Sequence, residues 1–292
     1  MSSKVYITTA IDYANDVIHL GHAYQKILAD ILARYWRDKG KKVFFLIGAD
    51  EHGANIAKEA EKQGLSPQDL VHKIAILDKE QWSSLNISYD RFIETTDEDH
   101  LKTVEKFWHK IKEKGDIYQK EFSGLYCLGC ESFKTSREIV DNYCPLHRTK
   151  KLISVSEKNY FFQWSKYENF LKEFFSKNKQ FVKPESRYQE ILSFLNEGLE
   201  DISISRQSVF WGIPVPEDKN QTIYVWFEAL MSYFTGAFVN GFWDKDSYII
   251  HILGKDNLRW HALLWPAMLY SAGYRLPDLI YTHGFLSFNG EK

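Results

Sequence analysis

The fold is decided by one stretch near the start of the chain, VYITTAIDYANDVIHLGHAYQKILADILARY, which occupies residues 5–35. Its first five residues are mostly apolar or β-branched, which predicts a short buried strand. From Ala23 onward, apolar residues recur every three or four positions, which predicts a helix that Gly40 ends. The next apolar run, residues 43–47, predicts a parallel strand covered on both faces. Together these segments predict a strand–helix–strand unit.

The same alternation continues on both sides of an irregular middle region. Helices are predicted over residues 66–85 and 96–115, each from a polar capping residue followed by acidic residues, with a strand near residues 89–95 between them. Apolar runs at residues 248–253 and 279–283 predict further buried strands, with a helix between them.

Residues 116–215 lack this alternation and contain all three cysteines, so they are predicted to form an insertion. We therefore predict an α/β fold with a doubly wound parallel sheet that the insertion splits. The predicted boundaries are residues 1–115 for the first half of the sheet domain, 116–215 for the insertion and 216–292 for the second half. In such sheets, ligands bind at the carboxyl ends of the strands where the winding direction reverses.

The composition narrows the classes of function. The chain has 292 residues, 44% of them hydrophobic, with 37 basic and 39 acidic side chains and a formal net charge of −2. A general polyanion binder needs a basic excess, so any RNA contact must use a local patch such as residues 39–42 or 148–151. No apolar run is long enough to span a bilayer and no signal peptide is recognised, so we expect a cytoplasmic protein without a membrane partner.

A phosphate-handling motif, His19-Leu20-Gly21-His22, lies at the predicted turn from the first strand to the first helix. Backbone N–H groups and the helix dipole favour an anion at this position, and Gly21 lets a phosphate approach the backbone closely. The two imidazoles can donate to the phosphate oxygens on which charge builds during attack at an α-phosphate. His19, Gly21 and His22 are therefore candidate nucleotide-binding residues, and the two histidines are candidate catalytic residues.

The cysteines form a second cluster with one histidine. Cys127 and Cys130 enclose two residues, and so do Cys144 and His147. Two such pairs can wrap one Zn²⁺ in a tetrahedral site. Because the protein supplies all the ligands, the site is predicted to be structural, with one zinc ion per chain.

Beyond these two motifs, the chain resembles the methionyl-tRNA synthetases, a family of class I aminoacyl-tRNA synthetases, over its whole length. The motifs that carry the resemblance occur in family order: TTAIDYANDVIHLGHAY at residues 8–24, GADEHG at 48–53, DISISR at 201–206, WGIPVP at 211–216, YVWFEA at 224–229, GKD at 254–256, HGFL at 283–286 and NGEK at 289–292. The resemblance implies a Rossmann-like catalytic domain of the HUP type and a connective insertion that carries a single zinc knuckle.

The activity that the resemblance implies is that of a methionine–tRNA ligase. ATP with Mg²⁺ converts L-methionine to methionyl-adenylate, and the methionyl group passes to tRNA(Met), including the initiator, for translation. Gly254 and Asp256 join the histidine motif as implied ATP-binding residues. Lys292 matches the first lysine of the family's KMSKS loop, and is implied to be catalytic and ATP-binding. Since the sequence ends there, we expect a truncated chain without the anticodon-binding domain, which activates methionine weakly.

The resemblance also implies a methionine pocket. Its residues are Ala10, Ile11, Tyr13, Asp50, Trp226, Ala229, Leu230, Tyr233 and His261. A thioether packs well against aromatic rings, to which Trp265 is expected to contribute. Asp50 is expected to pair with the substrate ammonium, with Arg206 supporting the site by holding the carboxylate in place. Ala10 and Leu230 stand where many relatives carry proline.

Other interpretations stay open at this point. Synthetases for isoleucine, valine and leucine need an editing domain, for which an insertion of roughly 100 residues has little room. A cysteinyl-type class I synthetase would place zinc in the active site rather than in the insertion. A catalytically weak, synthetase-derived tRNA-binding module is a further alternative. An adenylyltransferase for a small cofactor would share the histidine motif but would not explain the zinc knuckle.

Overall fold

The computed structural model describes residues 2–134, 139–145, 147–149 and 151–286. The first part of the chain contains β1 (Lys4–Thr9), β2 (Asp12–Tyr13), α1 (Leu20–Asp38), β3 (Lys42–Asp50), α2 (Ala54–Gln63), α3 (Pro67–Ser84), β4 (Arg91–Glu94) and α4 (Glu98–Glu113). The middle part contains β5 (Ile117–Cys127), β6 (Ser132–Lys134), β7 (Ile153–Phe162), a 3₁₀ turn (Trp164–Tyr167), α5 (Glu168–Lys177), β8 (Val182–Lys183), α6 (Glu185–Asn196), β9 (Ile202–Ser203), β10 (Ser205–Arg206) and β11 (Pro214–Val215). The last part contains β12 (Asp218–Ile223), α7 (Val225–Ala229), α8 (Ser232–Phe238), β13 (Ser247–Gly254), a 3₁₀ turn (Lys255–Asn257), a π-helical turn (Trp260–Leu264), α9 (Trp265–Ser271) and β14 (Leu279–His283).

The central layer is a parallel sheet with the strand order β4-β3-β1-β13-β14-β8. In its middle, Val5 of β1 pairs with Val43 of β3 on one side and with Tyr248 of β13 on the other. The chain winds outward from β1 through β3 to β4, and in the opposite direction from β13 to β14, so the carboxyl ends of β1 and β13 form the switch point. The short strand β2 extends the sheet beside the end of β3, where Tyr13 pairs with Asp50. The doubly wound parallel sheet predicted from the sequence is confirmed.

Alternate residues of the central strands enter two different cores, because successive side chains of a strand point to opposite faces. Tyr6 and Leu46 belong to a large core that also contains residues of α4, α8 and α9. Their neighbours Ile7 and Phe45 belong to a second core, against which α1 packs through Ala29. The sheet is thus covered on both faces, as the apolar runs of β1 and β3 predict.

The insertion contains an antiparallel sheet in the order β6-β5-β7-β9. Its long strands pair from Ile117 and Phe162 at one end to Tyr126 and Ile153 at the other. The region is not wholly separate from the parallel sheet, because Val182 of β8 pairs with β14 at the sheet edge. A strand of two residues is too short to show a period, so the sequence did not indicate it. The boundaries at residues 115/116 and 215/216 stay a prediction.

Other local differences have physical causes. The sequence did not predict α2, which is rich in charged residues and buries only Ile56 and Ala60. Helix α1 begins at Leu20 rather than at Ala23, since the histidine motif itself forms its first turn. The helix predicted after β13 is divided into a 3₁₀ turn, a π-helical turn and α9. Among the residues that the structure describes, no helix has the length and apolar character needed to cross a membrane.

Gly48 in β3 is expected to be essential for stability. A Cβ atom at this position would overlap the backbone carbonyl oxygen of Ile93 in the neighbouring strand β4. We expect Gly48→Ala to lower the free energy of unfolding by about 1–3 kcal/mol, the usual cost of overpacking a core. Urea denaturation measures this change. Gly284→Ala is the control, because a Cβ atom there meets nothing within 4 Å. An equal effect of both substitutions would contradict the prediction.

Candidate active site and metal centre

A cleft of about 580 Å³ opens at the carboxyl ends of β1, β3 and β13, where the winding of the sheet reverses. It is lined by every residue assigned to methionine, namely Ala10, Ile11, Tyr13, Asp50, Trp226, Ala229, Leu230, Tyr233 and His261. His22 and Asp256, assigned to ATP, line the same cleft, and so do Cys130 and His147 of the predicted metal site. The fold therefore brings together side chains that lie far apart in the sequence.

The histidine motif presents two hydrogen-bond donors of defined orientation. His19 is the N-cap residue of α1, and its Nδ1 accepts a hydrogen bond from the Gly21 N–H (3.1 Å). Nδ1 of His22 accepts one from the His19 N–H (3.3 Å). Because a backbone N–H can only donate, both Nδ1 atoms are acceptors, and each neutral ring carries its proton on Nε2. Both Nε2–H groups are thus left to bind an anion.

His22 of this motif is held in its neutral form. The rings of His19 and His22 stack with their centroids 3.8 Å apart. Burial lowers the pKa of His22 to about 4, against the opposing effect of Asp12. Gly21 is needed beside this pair, since a Cβ atom there would lie 2.9 Å from Cε1 of His19. Neutral His22 can therefore present its Nε2–H to a phosphate as a hydrogen-bond donor.

The carboxyl group of Asp50, the last residue of β3, lines the cleft. Its Oδ1 is buried and has no hydrogen-bond partner in the part of the chain that the structure describes. Burial raises the pKa of Asp50 well above its ordinary value, and Glu228 and Glu131 raise it further. A buried carboxylate beside other acids is costly unless a cation neutralises it. This position is therefore suited to an ammonium group.

Aromatic side chains form the wall opposite Asp50. Trp226 stacks on Trp260 with ring centroids 5.3 Å apart. Nδ1 of His261 donates to the Asn257 carbonyl oxygen (2.9 Å), so its Nε2 accepts the hydroxyl proton of Tyr233 (2.9 Å). Burial lowers the pKa of His261 to about 4, which keeps this ring neutral at pH 7. The wall is therefore uncharged and fits an apolar or thioether side chain.

One aromatic residue differs from the expectation. Trp265 does not line the cleft; it is fully buried, packed against Phe107 and behind Tyr233. Trp260 lies in the aromatic wall where Trp265 was expected, although the sequence predicted only that Trp260 belongs to a helix. The π-helical turn contains Trp260 and His261, and it changes which side of the helix faces the cleft.

A buried acid beneath the cleft was missed by sequence reasoning. Glu228 accepts hydrogen bonds from His52 (2.9 Å) and His100 (2.8 Å), and its side chain is fully buried. Burial raises the pKa of Glu228, but the two histidines outweigh this effect and hold it below its ordinary value. The negative charge of Glu228 is therefore kept next to Asp50. His52 and Glu228 belong to the quoted motifs GADEHG and YVWFEA, which were the available signal.

Arg206 lies away from the carboxylate that it was expected to hold. Its guanidinium donates to the oxygens of Ser203 and to the Ser205 carbonyl oxygen (2.7 Å), and it stacks 4.1 Å from the ring centre of Tyr224. The acid whose charge it favours is Glu131, because Arg206 lowers the pKa of that carboxyl, which burial raises. Arg206 thus supports the wall of the insertion, while Asp50 stays without a cationic partner.

The predicted metal ligands do converge. The ligand atoms of Cys127, Cys130, Cys144 and His147 all lie within 4.8 Å of one another, and the thiols form no disulfide. The Sγ atoms of Cys130 and Cys144 are 3.5 Å apart, and Nδ1 of His147 lies 3.3 Å from Sγ of Cys130. Zinc–sulfur bonds of about 2.3 Å in a tetrahedron separate the sulfur atoms by about 3.8 Å. The donor set therefore fits one Zn²⁺ ion, with Nδ1 as the histidine ligand.

The insertion contacts the cleft through the residue that follows Cys130. Glu131 accepts hydrogen bonds from the Tyr13 hydroxyl (2.9 Å) and the Asn55 backbone N–H (2.5 Å). The Asn55 side chain in turn donates to the Leu128 carbonyl oxygen (2.9 Å). Glu131 thus serves the amino end of α2, whose N-cap residue Gly53 has no side chain to do so. A wall of the cleft is therefore coupled to the geometry of the knuckle.

Gly254 and Lys292 are the two implied ATP-binding residues not yet placed, and the structure describes only the first of them. Gly254 ends β13, and a Cβ atom there would lie 2.6 Å from Oδ1 of Asp256, so a side chain would displace this carboxylate. Lys292, together with the rest of the NGEK motif, lies outside the described residues.

Gly129 offers a test of the metal centre that leaves the ligands unchanged. A Cβ atom at residue 129 would overlap the imidazole of His147, so Gly129→Ala should displace this ligand. We expect zinc affinity to fall about 10- to 100-fold, as for changes in residues that orient metal ligands. Competition with a chromophoric chelator measures the affinity. Gly284→Ala is again the control, and unchanged zinc affinity in Gly129→Ala would show that His147 is not a ligand.

The chain is similar in sequence to members of one known protein family. The sequence matches the model of the family described as tRNA synthetases class I (M) over residues 5–152 and 149–292. Methionine–tRNA ligase of Synechocystis sp. is 44% identical over 98% of this chain and 56% of the relative, and that of Thermotoga maritima is 41% identical over 99% and 47%. The chain thus spans about half the length of these relatives.

Solved structures agree. The methionyl-tRNA synthetase of Mycobacterium tuberculosis in complex with methionyl-adenylate has a TM-score of 0.92 and 39% identity, over 99% of this chain and 58% of that chain. The free-state form of that enzyme has a TM-score of 0.76 and 37% identity, over 98% and 56%. On the family match, the shared fold and the cleft, the chain belongs to the class I (M) tRNA synthetases, the family of its methionine–tRNA ligase relatives.

Proposed function

We propose that this chain is the catalytic part of a methionine–tRNA ligase, which activates L-methionine with ATP and then transfers the methionyl group to tRNA(Met), including the initiator. The observation that carries the proposal is the buried carboxyl group of Asp50, whose Oδ1 has no hydrogen-bond partner among the described residues, in a cleft with an aromatic wall. An amino acid with an apolar, polarizable side chain satisfies both features, since its ammonium pairs with Asp50 and its thioether packs on the rings.

The amino-acid half of the cleft supplies recognition. Asp50 binds the ammonium, while Trp226, Trp260 and Tyr233 surround the side chain. Ala10 and Ile11 follow β1 and contribute the edge that faces α1. Because all these groups are fixed by buried elements, the substrate carboxylate is directed toward the amino end of α1.

The nucleotide half supplies charge stabilisation. The methionine carboxylate oxygen attacks the α-phosphorus of ATP, a bond forms between them, and the bond to the pyrophosphate oxygen breaks. Negative charge then builds on the phosphate oxygens and the leaving group. The Nε2–H groups of His19 and His22 donate to these oxygens, helped by the dipole of α1. Gly254 and Asp256 hold the nucleotide at the end of β13, and Lys292 adds a positive charge to the phosphates.

The proposed function also involves two metal ions, Mg²⁺ and Zn²⁺, and a reducing compartment. Mg²⁺ bound with ATP would neutralise part of the phosphate charge. Cys127, Cys130, Cys144 and His147 would hold zinc in a structural role, because four protein ligands leave no open position. The thiols must stay reduced to bind it, so a reducing compartment such as the cytoplasm is part of the proposal.

The alternative functions receive less support. The relatives are named methionine–tRNA ligases, which favours methionine over cysteine as the substrate. The intact histidine motif and the unpaired Asp50 favour catalysis over a tRNA-binding module.

Pyrophosphate–ATP exchange tests the proposed activity. It is measured with methionine, cysteine, leucine and isoleucine in parallel. The chain used is extended past Lys292 so that it includes the KMSKS loop. We expect exchange that depends on methionine and is far weaker with the other three amino acids. Exchange that responds equally to leucine, or that does not occur with methionine, would refute the proposal.

Asp50 provides the sharpest single substitution. Asp50→Asn removes the charge that pairs with the ammonium, so methionine affinity should fall about 10- to 100-fold, the value of a charge-assisted hydrogen bond. Titration followed by the fluorescence of Trp226 and Trp260 measures this affinity. Asp38→Asn, at an exposed residue of α1, is the control. Equal affinities in the parent and Asp50→Asn would place the ammonium elsewhere.

The raised pKa of Asp50 also predicts a pH dependence of methionine binding. Burial raises this pKa, and the charges of Glu228, Glu131 and Glu51 act in the same direction. As the pH is lowered from the alkaline to the acidic range, Asp50 takes up a proton that methionine must displace, so affinity should fall. The sign for stability is opposite: with a raised folded-state pKa, Asp50 favours the unliganded fold at low pH and loses this contribution as the pH rises.

Asp50→Asn should remove most of the pH dependence of methionine binding, which makes it the control for this second measurement. A parent chain that binds methionine with the same affinity throughout this pH range would contradict the raised pKa.

A further inference from the structure

We propose that a buried ion pair between Asp12 and Lys26 is the positioning device that keeps the two halves of the cleft in register. The pair joins the loop of residues 10–13, here called the methionine loop, to helix α1 with its histidine motif. The proposal rests on the proposed function and adds to it the residue Lys26, which no motif of the sequence singled out.

Lys26 is placed to bind the methionine loop and nothing else in the cleft. Its side chain is fully buried, and its ammonium donates to the Asp12 carboxylate, the Ala10 carbonyl oxygen (3.1 Å) and the Gln25 side-chain oxygen (3.3 Å). An ammonium has three donors, so all of them are used. Lys26 therefore has no donor left for a substrate, and its action must pass through the loop that it holds.

The partner of Lys26 faces the nucleotide half. Oδ1 of Asp12 lies 3.9 Å from Nε2 of His22, the donor atom assigned to phosphate. His22 and Lys26 are four residues apart on α1, so they lie on the same face of the helix in successive turns. Asp12 thus sits between a histidine of the phosphate motif and a lysine that holds the backbone of Ala10.

The methionine loop is equally well connected to the amino-acid half. Ala10 and Ile11 line the cleft directly. Asp12 and Tyr13 form β2, which pairs with Ala49 and with Asp50 at the end of β3. A shift of this loop relative to α1 would therefore move the methionine pocket relative to the phosphate site.

The relative position of the two halves of the cleft matters, because the reaction joins the substrate in one half to the substrate in the other. The attacking carboxylate oxygen must approach the α-phosphorus to about 3–3.5 Å, and an error of about 1 Å can cost about 100-fold in rate. A buried ammonium is costly unless it is fully paired, and once paired it tolerates little displacement. The ion pair thus links the two sites with little freedom of movement.

A purely structural role is the competing explanation, and the surroundings of the pair define it. The ammonium of Lys26 also lies 5.4 Å from the ring centre of Trp82, and the carboxylate of Asp78 in α3 attracts it electrostatically. If the pair only stabilises this core, its removal lowers the melting temperature without a specific effect on the joining of the two substrates.

The test compares ligands that occupy one half of the cleft with a ligand that spans both. Dissociation constants are measured by calorimetry for methionine, for ATP and for methionyl sulfamoyl-adenosine, an uncleavable analogue that contains both halves. The variants are Lys26→Met, which keeps the length of the side chain, and the double variant Asp12→Asn/Lys26→Met, which removes both charges of the pair. Arg34→Met is the matched control, since Arg34 forms an ion pair with Asp30 (2.7 Å) on the same helix but does not line the cleft.

We expect Lys26→Met to weaken methionine about threefold, to leave ATP nearly unchanged and to weaken the spanning analogue about 100-fold, because only the analogue depends on register. The double variant should be more stable than Lys26→Met, because Asp12 is then no longer a buried charge without its partner, and it should keep the excess loss for the analogue, also if Lys26→Met alone does not fold. The control should bind all three ligands as the parent does.

Two results would overturn the inference. One is a loss for the analogue no larger than the product of the separate losses for methionine and ATP. The other is a double variant that binds the analogue as tightly as the parent. In both cases the parent still binds methionine and the proposed function stands. A parent that binds neither methionine nor the analogue refutes the proposed function, and the inference fails with it.

Discussion

Strand β1 pairs in parallel with β3 on one side and β13 on the other, and this pairing determines where everything else lies. Because the chain leaves β1 and β13 in opposite directions, no helix covers the sheet edge between their carboxyl ends. The turn after β1 therefore supplies the methionine loop and the histidine motif, the end of β3 supplies Asp50, and the end of β13 supplies Asp256. Residues that are more than two hundred positions apart in the sequence meet there because of strand order alone.

The electrostatics of the cleft follow from what it must hold. Glu228 stays charged because His52 and His100 donate to it, and it raises the pKa of nearby Asp50, which burial has already raised. An empty cleft of this kind is destabilising, since carboxylates are kept close together and away from water. In the proposed function, a bound ammonium would offset this cost, so the cost of the unliganded state would also be the source of selectivity for a cation at this position.

The sequence predicted the parts of the fold and site that depend on strong local patterns. The apolar runs of β1 and β3 and the period of α1 gave the central unit, and the paired spacing of Cys127, Cys130, Cys144 and His147 gave the metal cluster. The pocket residues came from the family motifs, and they line one cleft because those motifs follow the ends of the central strands.

The structure differs from the sequence predictions where three-dimensional geometry, rather than a local sequence pattern, determines the position of a side chain. A π-helical turn places Trp260 rather than Trp265 in the aromatic wall, and no periodicity shows such a turn. Arg206 donates to Ser203 and Ser205 and interacts electrostatically with Glu131 rather than with Asp50, because its strand β10 pairs with β12. The ion pair of Asp12 and Lys26 is formed by residues of two elements, neither of which looks unusual in sequence.

The insertion is connected to the cleft through the contacts of Glu131. This residue follows a metal ligand, and it accepts hydrogen bonds from Tyr13 of the methionine loop and from the amino end of α2. Gly53 leaves the room for this approach, since any Cβ atom there would overlap the carboxylate of Glu131. The position of Tyr13 is therefore fixed from two directions, by Lys26 through the loop backbone and by the metal cluster through Glu131. The geometry of the Cys127, Cys130, Cys144 and His147 cluster therefore bears on the position of one wall of the cleft, through Glu131.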